Sequence, residues 1–325
     1  MIIPQYWAEG RFRHRDEVRQ VTFRRFGWSD ISQEDAQSQA DARAREAFDR
    51  FVAGVKVNRR ERKVPYNGAE GLPIREEIVQ RYGDAVVTRN SYGARCLNTP
   101  DVLFADVDFD RSISWPVLLM VYGGSLATAG AVWWWLHSMV LAIVAGLLTL
   151  AVTWIAAAIR AVDIPGDPEK LEAETRRRVA AFVDLHREWH VRLYRTPAGM
   201  RALVMHRTFD PNEPAVAEFF AALKSDPIYV LMCQRQHCFR ARVSPKPWRI
   251  GIAAHIKPRP GTWPVKPERL PARAAWVETY EKAARDFAAC EFIEAVGGAT
   301  IHPKAEAVRR VHDDLCKAQS NLSIA

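Results

Sequence analysis

Apolar residues are spread unevenly along this chain. From Trp115 to Ile159 there are 45 consecutive residues without an Asp, Glu, Lys or Arg. A helix needs about 20 such residues to cross the roughly 30 Å hydrocarbon layer. As one helix the block would run about 67 Å, twice that thickness, so the pattern predicts two spans, near Trp115–Trp135 and Ser138–Ile159, joined by a tight turn. Trp133, Trp134 and Trp135 fall at the turn and Trp115 at the near end, where amphipathic rings suit the membrane interface. Arg111 precedes the block, and Arg160, Lys170 and Arg176-Arg177-Arg178 follow it. Positive flanks stay on the cytoplasmic side, which predicts a bacterial-type inner membrane protein with both termini cytoplasmic. The opening Met1-Ile2-Ile3-Pro4-Gln5-Tyr6 runs into charge without the apolar core of a signal peptide.

On either side the pattern changes every few residues. Alternation predicts short strands at 6–8 and 21–26, then a helix capped by Ser29 and Asp30, with Ala40, Ala44, Ala47, Phe48 and Phe51 on one face and Gly54 beyond its end. A short helix is expected at 74–81, and strands at 85–88, 94–97 and 102–109. Beyond the apolar block the pattern predicts a helix at 168–189 and a hairpin of 191–195 with 201–206. A helix at 215–224, a strand at 228–232 and a terminal pair of helices at 271–296 and 303–319 complete it. The fold class expected is α+β, a mixed-sheet cytosolic body interrupted by a two-helix transmembrane hairpin. Its parts are a cytosolic half at 1–111, the hairpin at 112–160, a second half at 161–270 that packs with the first, and a helical segment at 271–325. The ends of a helical hairpin emerge about 8–10 Å apart, so the hairpin can replace a surface loop of a single domain.

Apolar residues make up 48% of the sequence and charged residues 26%, values that exclude a disordered, collagen-like or disulfide-scaffold chain. The five cysteines are odd in number and none lies outside the cytosol by this topology, so reduced thiols are expected. Net charge is +8, from 46 Lys and Arg against 38 Asp and Glu. Basic residues concentrate at 59–63, in the Arg176 run, and at Arg235, His237, Arg240, Arg242, Lys246, Arg249, Lys257 and Arg259. Such density suits anionic headgroups, nucleotide or nucleic acid, and guanidinium suits bidentate phosphate contact. Arg195 and Arg201, flanking the predicted hairpin turn, and Arg240 with Arg242 are the candidate anion-binding residues. A solvated basic surface is the plainer reading of the same residues.

Candidate chemistry is sparse. Asp106 and Asp108 end an apolar strand and share a face, and carboxylates so placed suit Mg²⁺ or Mn²⁺ between them. An acidic turn before the membrane is the competing reading. Cys233, His237 and Cys238 suggest zinc, but the Cys-x4-Cys spacing lacks a second pair. His312-Asp313 on the last helix reads as surface polarity rather than catalysis.

The strand ending Asp106-Val107-Asp108, followed by Arg195-Thr196-Pro197-Ala198-Gly199-Met200-Arg201 at a strand turn, resembles the catalytic core of the archaeo-eukaryotic primase/polymerase superfamily. The resemblance implies metal ligation by Asp106 and Asp108 and places Arg201 near nucleotide phosphates. The pattern departs from that family in having Arg201 where a His is expected, and only Asp226 is a candidate third carboxylate. The whole chain is similar to uncharacterised bacterial inner-membrane proteins, which implies no activity. Two functions are therefore expected. One is a membrane-anchored binding or scaffold protein with an anion-binding basic surface; the alternative is a metal-dependent phosphoryl- or nucleotidyl-transfer enzyme using Asp106 and Asp108.

Overall fold

A computed structural model describes residues 3–15, 20–61, 72–108, 115–163 and 168–325. Arg62, Lys63 and Arg111 lie outside the described residues. The chain is α+β and divides into two compact units: Met1–Val107 with Arg177–Ala325, and Asp108–Arg176.

The first unit begins with β1 (Tyr6–Arg15) and β2 (Gln20–Ser29), an antiparallel pair with Phe12 opposite Phe23. Helix α1 (Gln33–Val52) lies across one face, its first turn capped by the Ser32 hydroxyl, which accepts from the Asp35 N–H. Ala36, Ala40, Ala44 and Ala47 form its buried stripe. Small residues on the helix are matched by glycines on the sheet, so the backbones approach closely. A Cβ on Gly10 would sit 2.3 Å from the Ala40 carbonyl, and one on Gly27 would sit 2.2 Å from the Ala36 oxygen.

Two four-stranded sheets follow, and both combine strands from the two sides of the apolar block. One has the order β3-β4-β5-β9, from Glu77–Tyr82, Ala85–Arg89, Arg95–Thr99 and Phe239–Arg242. The other has the order β10-β7-β8-β6, from Glu291–Gly297, His190–Thr196, Gly199–Val204 and Phe104–Asp108. Every residue of β4 and of β8 is buried. Beside the second sheet Trp189 packs against Phe182, Phe209 and Phe219 at centroid distances of 4.9, 5.1 and 4.9 Å. Aromatic pairs of this kind add about 0.5–1.5 kcal/mol each beyond the area they bury.

Three expected elements differ. The segment expected as a helix at 74–81 is not helical: from Glu77 it forms β3, which pairs with β4 across the turn at Gly83, whose φ is +62°. Residues 228–232 lie in a helix, α6 (Pro227–Gln236), not a strand: Asp226 caps it by accepting from the Ile228 N–H, and Pro227 fits the first helical position. The terminal segment is not wholly helical. After α7 (Leu270–Ala283) the chain forms β10 against β7, and only then α8 (Pro303–Cys316). Phe292, Ile293 and Val296 suit a strand, whose register shifts between Phe292 and Glu294, and sheet pairing prevails over the high helix propensity of the alanines before it. The remaining helices are α4 (Pro168–Leu185) and α5 (Pro214–Leu223).

The second unit is a helical hairpin of α2 (Trp115–Leu136) and α3 (Met139–Asp163), turned at His137, whose φ is +47°. Ser125 donates its hydroxyl to the Gly146 carbonyl at 2.8 Å, and Tyr122 meets Trp154 edge-on at 6.5 Å. The absent side chain at Gly146 admits Ala129 at close range. Among the described residues one helix, α3, is long and apolar enough to cross a membrane, over Met139–Ala156.

Candidate functional site: a buried ion-pair and thiol centre

Strand β8 places a guanidinium in the core. Arg201 is 2% exposed, and a buried charge persists only with a partner. Asp106, on neighbouring β6, takes Arg201 Nε at 2.8 Å and Nη2 at 3.4 Å. Arg201 Nη1 donates to the Arg242 carbonyl of β9 at 2.9 Å, tying the two sheets together. Burial alone lowers the pKa of Arg201, but the Asp106 carboxylate outweighs it and holds the guanidinium more firmly protonated than usual.

The same Nη1 lies 3.3 Å from His312 Nε2. His312 is fully buried on α8, flanked by the rings of Phe104 at 5.3 Å and Tyr194 at 4.8 Å. Its Nδ1 is 2.9 Å from Asp313 Oδ1. A carboxylate only accepts, so Nδ1 carries the proton and Nε2 presents its lone pair inward. Burial raises the pKa of Asp313, but His312 and its other donors outweigh that and hold it below the ordinary aspartate value. Among those donors is Arg309, at 2.8 Å.

Two thiols complete the centre. Cys316 follows His312 by one helical turn, so both lie on one face of α8. Cys290 immediately precedes β10, and the Ala289 N–H donates to the Cys316 carbonyl at 2.9 Å, fixing strand start against helix end. Cys290 Sγ is 3.9 Å from His312 Nε2, and one donor atom from each of Cys290, His312 and Cys316 lies within 4.8 Å of the others. All three residues are buried. A hydrogen bond from Cys316 is the largest influence drawing the Cys290 thiol well below its ordinary pKa, and His312 and Arg201 pull the same way. Cys316 is pushed well above the ordinary thiol value by burial and by its neighbour. The arrangement holds one acidic and one basic thiol beside an imidazole, a soft donor set.

The residues expected from sequence are dispersed. Asp106 is engaged by Arg201, while Asp108 is exposed at the end of β6. Arg195, half-exposed, pairs with Glu291 at 3.4 Å. Arg240 is buried and bidentate on Glu76 at 2.7 and 2.8 Å, with Asn98 on its other nitrogen. Arg242, on β9 opposite Cys96, contributes its carbonyl to Arg201. Trp133, Trp134 and Trp135 are 51%, 73% and 85% exposed at the end of α2. Trp115 begins α2.

Cys233 and Cys238 are buried, but His237 is exposed with its ring on Asn212, so the three do not form a donor cluster. Cys290, His312 and Cys316 were missed as a group. The signal was His-x3-Cys on an amphipathic helix; the distant Cys290 completes the set only through the pairing of β10.

The described residues also include a basic face. On the side of the β1-β2 sheet away from α1, Arg11, Arg13 and Arg15 project outward and exposed, beside Arg24, with Arg60 bridged to Arg24 at the edge. Glu9 pairs with both Arg11 and Arg24, at 3.2 and 3.8 Å.

Comparison with protein-family models, with curated proteins and with solved structures finds no match to this chain.

Proposed function

We propose that the chain is a membrane-anchored binding or scaffold protein. In this reading the α2–α3 hairpin is its two-span anchor in a bacterial-type inner membrane, and its α+β unit is cytoplasmic. The observation that carries the reading is the outward surface of the hairpin. Met120, Leu126, Trp134, Trp135 and Val140 are 76%, 74%, 73%, 85% and 71% exposed. A contiguous apolar surface of that kind is far larger than water tolerates on a soluble chain, and a bilayer is the environment that removes it from water.

The binding role rests on basic residues that the fold leaves outward. Arg201 and Arg240 spend their charge on Asp106 and Glu76 within the core, whereas Arg11, Arg13 and Arg15 are exposed and, with Arg24, outnumber the Glu9 that pairs with Arg11 and Arg24; these four are the anion-facing set. Their partner is anionic: a headgroup, a nucleotide or a nucleic acid. Metal-dependent transfer through Asp106 and Asp108 has less support, because Asp106 already accepts from two N–H groups of the buried Arg201, whose positive charge opposes a cation beside the same carboxylate.

The test uses the full chain in zwitterionic nanodiscs and a fluorescent single-stranded oligonucleotide as polyanion probe. Binding is expected to weaken steeply between low and moderate salt, as counterion release requires, and to fall at least tenfold in Arg11→Gln/Arg13→Gln/Arg15→Gln. Salt-independent binding, or binding unchanged in the triple variant, would overturn the basic-face assignment.

A further inference from the structure

We infer that Cys290, His312 and Cys316 form a binding site for a thiophilic divalent cation of the Zn²⁺ type. The site is independent of the membrane anchor and of the basic face. Three features of the geometry carry it.

First, the donors converge. Tetrahedral zinc with sulfur at about 2.3 Å and nitrogen at about 2.0 Å places its ligand atoms about 3.5–3.8 Å apart. The Cys290 Sγ to His312 Nε2 distance is 3.9 Å, and all three donors lie within 4.8 Å of one another. Contraction of at most about 1.3 Å on any edge closes the set around an ion.

Second, the imidazole is oriented as metal-bound histidines are. The protonated Nδ1 is held by Asp313 at 2.9 Å, and Asp313 in turn takes Arg309 at 2.8 Å. A carboxylate on the far ring nitrogen fixes the tautomer and raises the basicity of the ligating one.

Third, a dication fits the charge balance of the core. Loading follows M²⁺ + 2 Cys–SH → M(S–Cys)₂ + 2 H⁺, so the complex of ion and two thiolates is neutral. Arg201 is already offset by Asp106 and Asp313 by Arg309, so the metal adds no net charge to the core. The Arg201 Nη1 proton that faces Nε2 at 3.3 Å turns to a thiolate once the metal takes that lone pair. Guanidinium N–H groups donate to anionic acceptors more strongly than to neutral ones. The three protein donors leave the fourth position to a non-protein ligand.

The experiment is metal analysis of the full chain purified in detergent under anaerobic, reducing conditions. It is followed by replacement with Co²⁺, whose thiolate charge-transfer absorption reports sulfur ligation without any assay of function. Equimolar zinc and a cobalt spectrum with the intensity of two thiolates are expected. Cys290→Ser/Cys316→Ser should lose both signals, and Cys233→Ser/Cys238→Ser should keep them. Should the serine pair disturb folding, the wild-type spectrum stands alone as a test. Folded wild-type protein that takes up neither zinc nor cobalt would overturn the site, as would cobalt bound without sulfur absorption or retained by the Cys290/Cys316 variant. A Cys290–Cys316 disulfide in the anaerobic protein would overturn it too.

Discussion

Arg201 and Asp106, 95 residues apart and on opposite sides of the apolar hairpin in sequence, meet at 2.8 Å in the same sheet. The contact joins the two flanks of the insertion: β6 enters the hairpin and β8 follows it, and the ion pair fixes them side by side.

Removing one partner should therefore cost more than removing both. Asp106→Asn leaves the Arg201 charge buried and half-satisfied, with an expected loss of about 3 kcal/mol, the low end for a broken buried pair. The low end applies because the Asp106 side chain is 30% exposed. Asp106→Leu/Arg201→Leu should be less destabilised than the sum of its single variants by at least 1 kcal/mol. Denaturant melts of the four proteins in detergent measure the cycle, and simple additivity would show that the pair is not coupled.

The glycines under α1 make a steric prediction. An alanine at Gly27 sets its Cβ 2.2 Å from a helix carbonyl, a distance that only movement of α1 relieves. Gly27→Ala should destabilise the chain by about 3 kcal/mol, the upper range for overpacking. Gly54→Ala beyond the helix has nothing within 4 Å but a positive φ of +83°, so it should cost about 1 kcal/mol. Equal effects from the two would exclude a close sheet-to-helix approach.

His206 makes stability depend on pH. Burial beside Trp189 and Phe209, with Arg207 nearby, lowers its pKa to about 4. The backbone N–H of His190 points at Nδ1 at 3.5 Å, so a second ring proton would meet a donor. The unfolded chain binds that proton from about pH 6.5 downward, whereas the folded chain resists it until about pH 4. The contribution is therefore complete above pH 6.5 and declines as pH falls from there toward 4. Chemical denaturation across pH 7.5 to 4.5 should show a fall that His206→Phe flattens; an identical slope in the variant would assign the effect elsewhere.

Much of the architecture was readable from periodicity. The apolar block, α1 with its alanine stripe, and the β7-β8 hairpin all show in local patterns, because each buries one face against a neighbour close in sequence. The strand at Glu291 and the helix at Pro227 were not readable in that way. β10 exists because β7 offers an edge about a hundred residues away, and α6 because Asp226-Pro227 caps a turn that the apolar run Ile228–Met232 disguises. The same physics hid the centre. Asp106 and the arginines were visible as charges, but their pairing depends on which strands become neighbours. His312-Asp313 read as surface because the sequence does not reveal that α8 turns this face against Phe104 and Tyr194.

The membrane anchor is central to the proposed function, and topology mapping in bacterial membranes tests it most directly. The full chain, tagged at both ends and carrying a cysteine at Ser138 for labelling, is expressed, and its membranes are washed with alkaline carbonate. A two-span anchor keeps the protein in the pellet, lets protease remove both tags only in inverted vesicles, and lets a membrane-impermeant maleimide reach residue 138 only from outside intact cells. Release into the supernatant, or tags on opposite sides of the membrane, would contradict a two-span anchor.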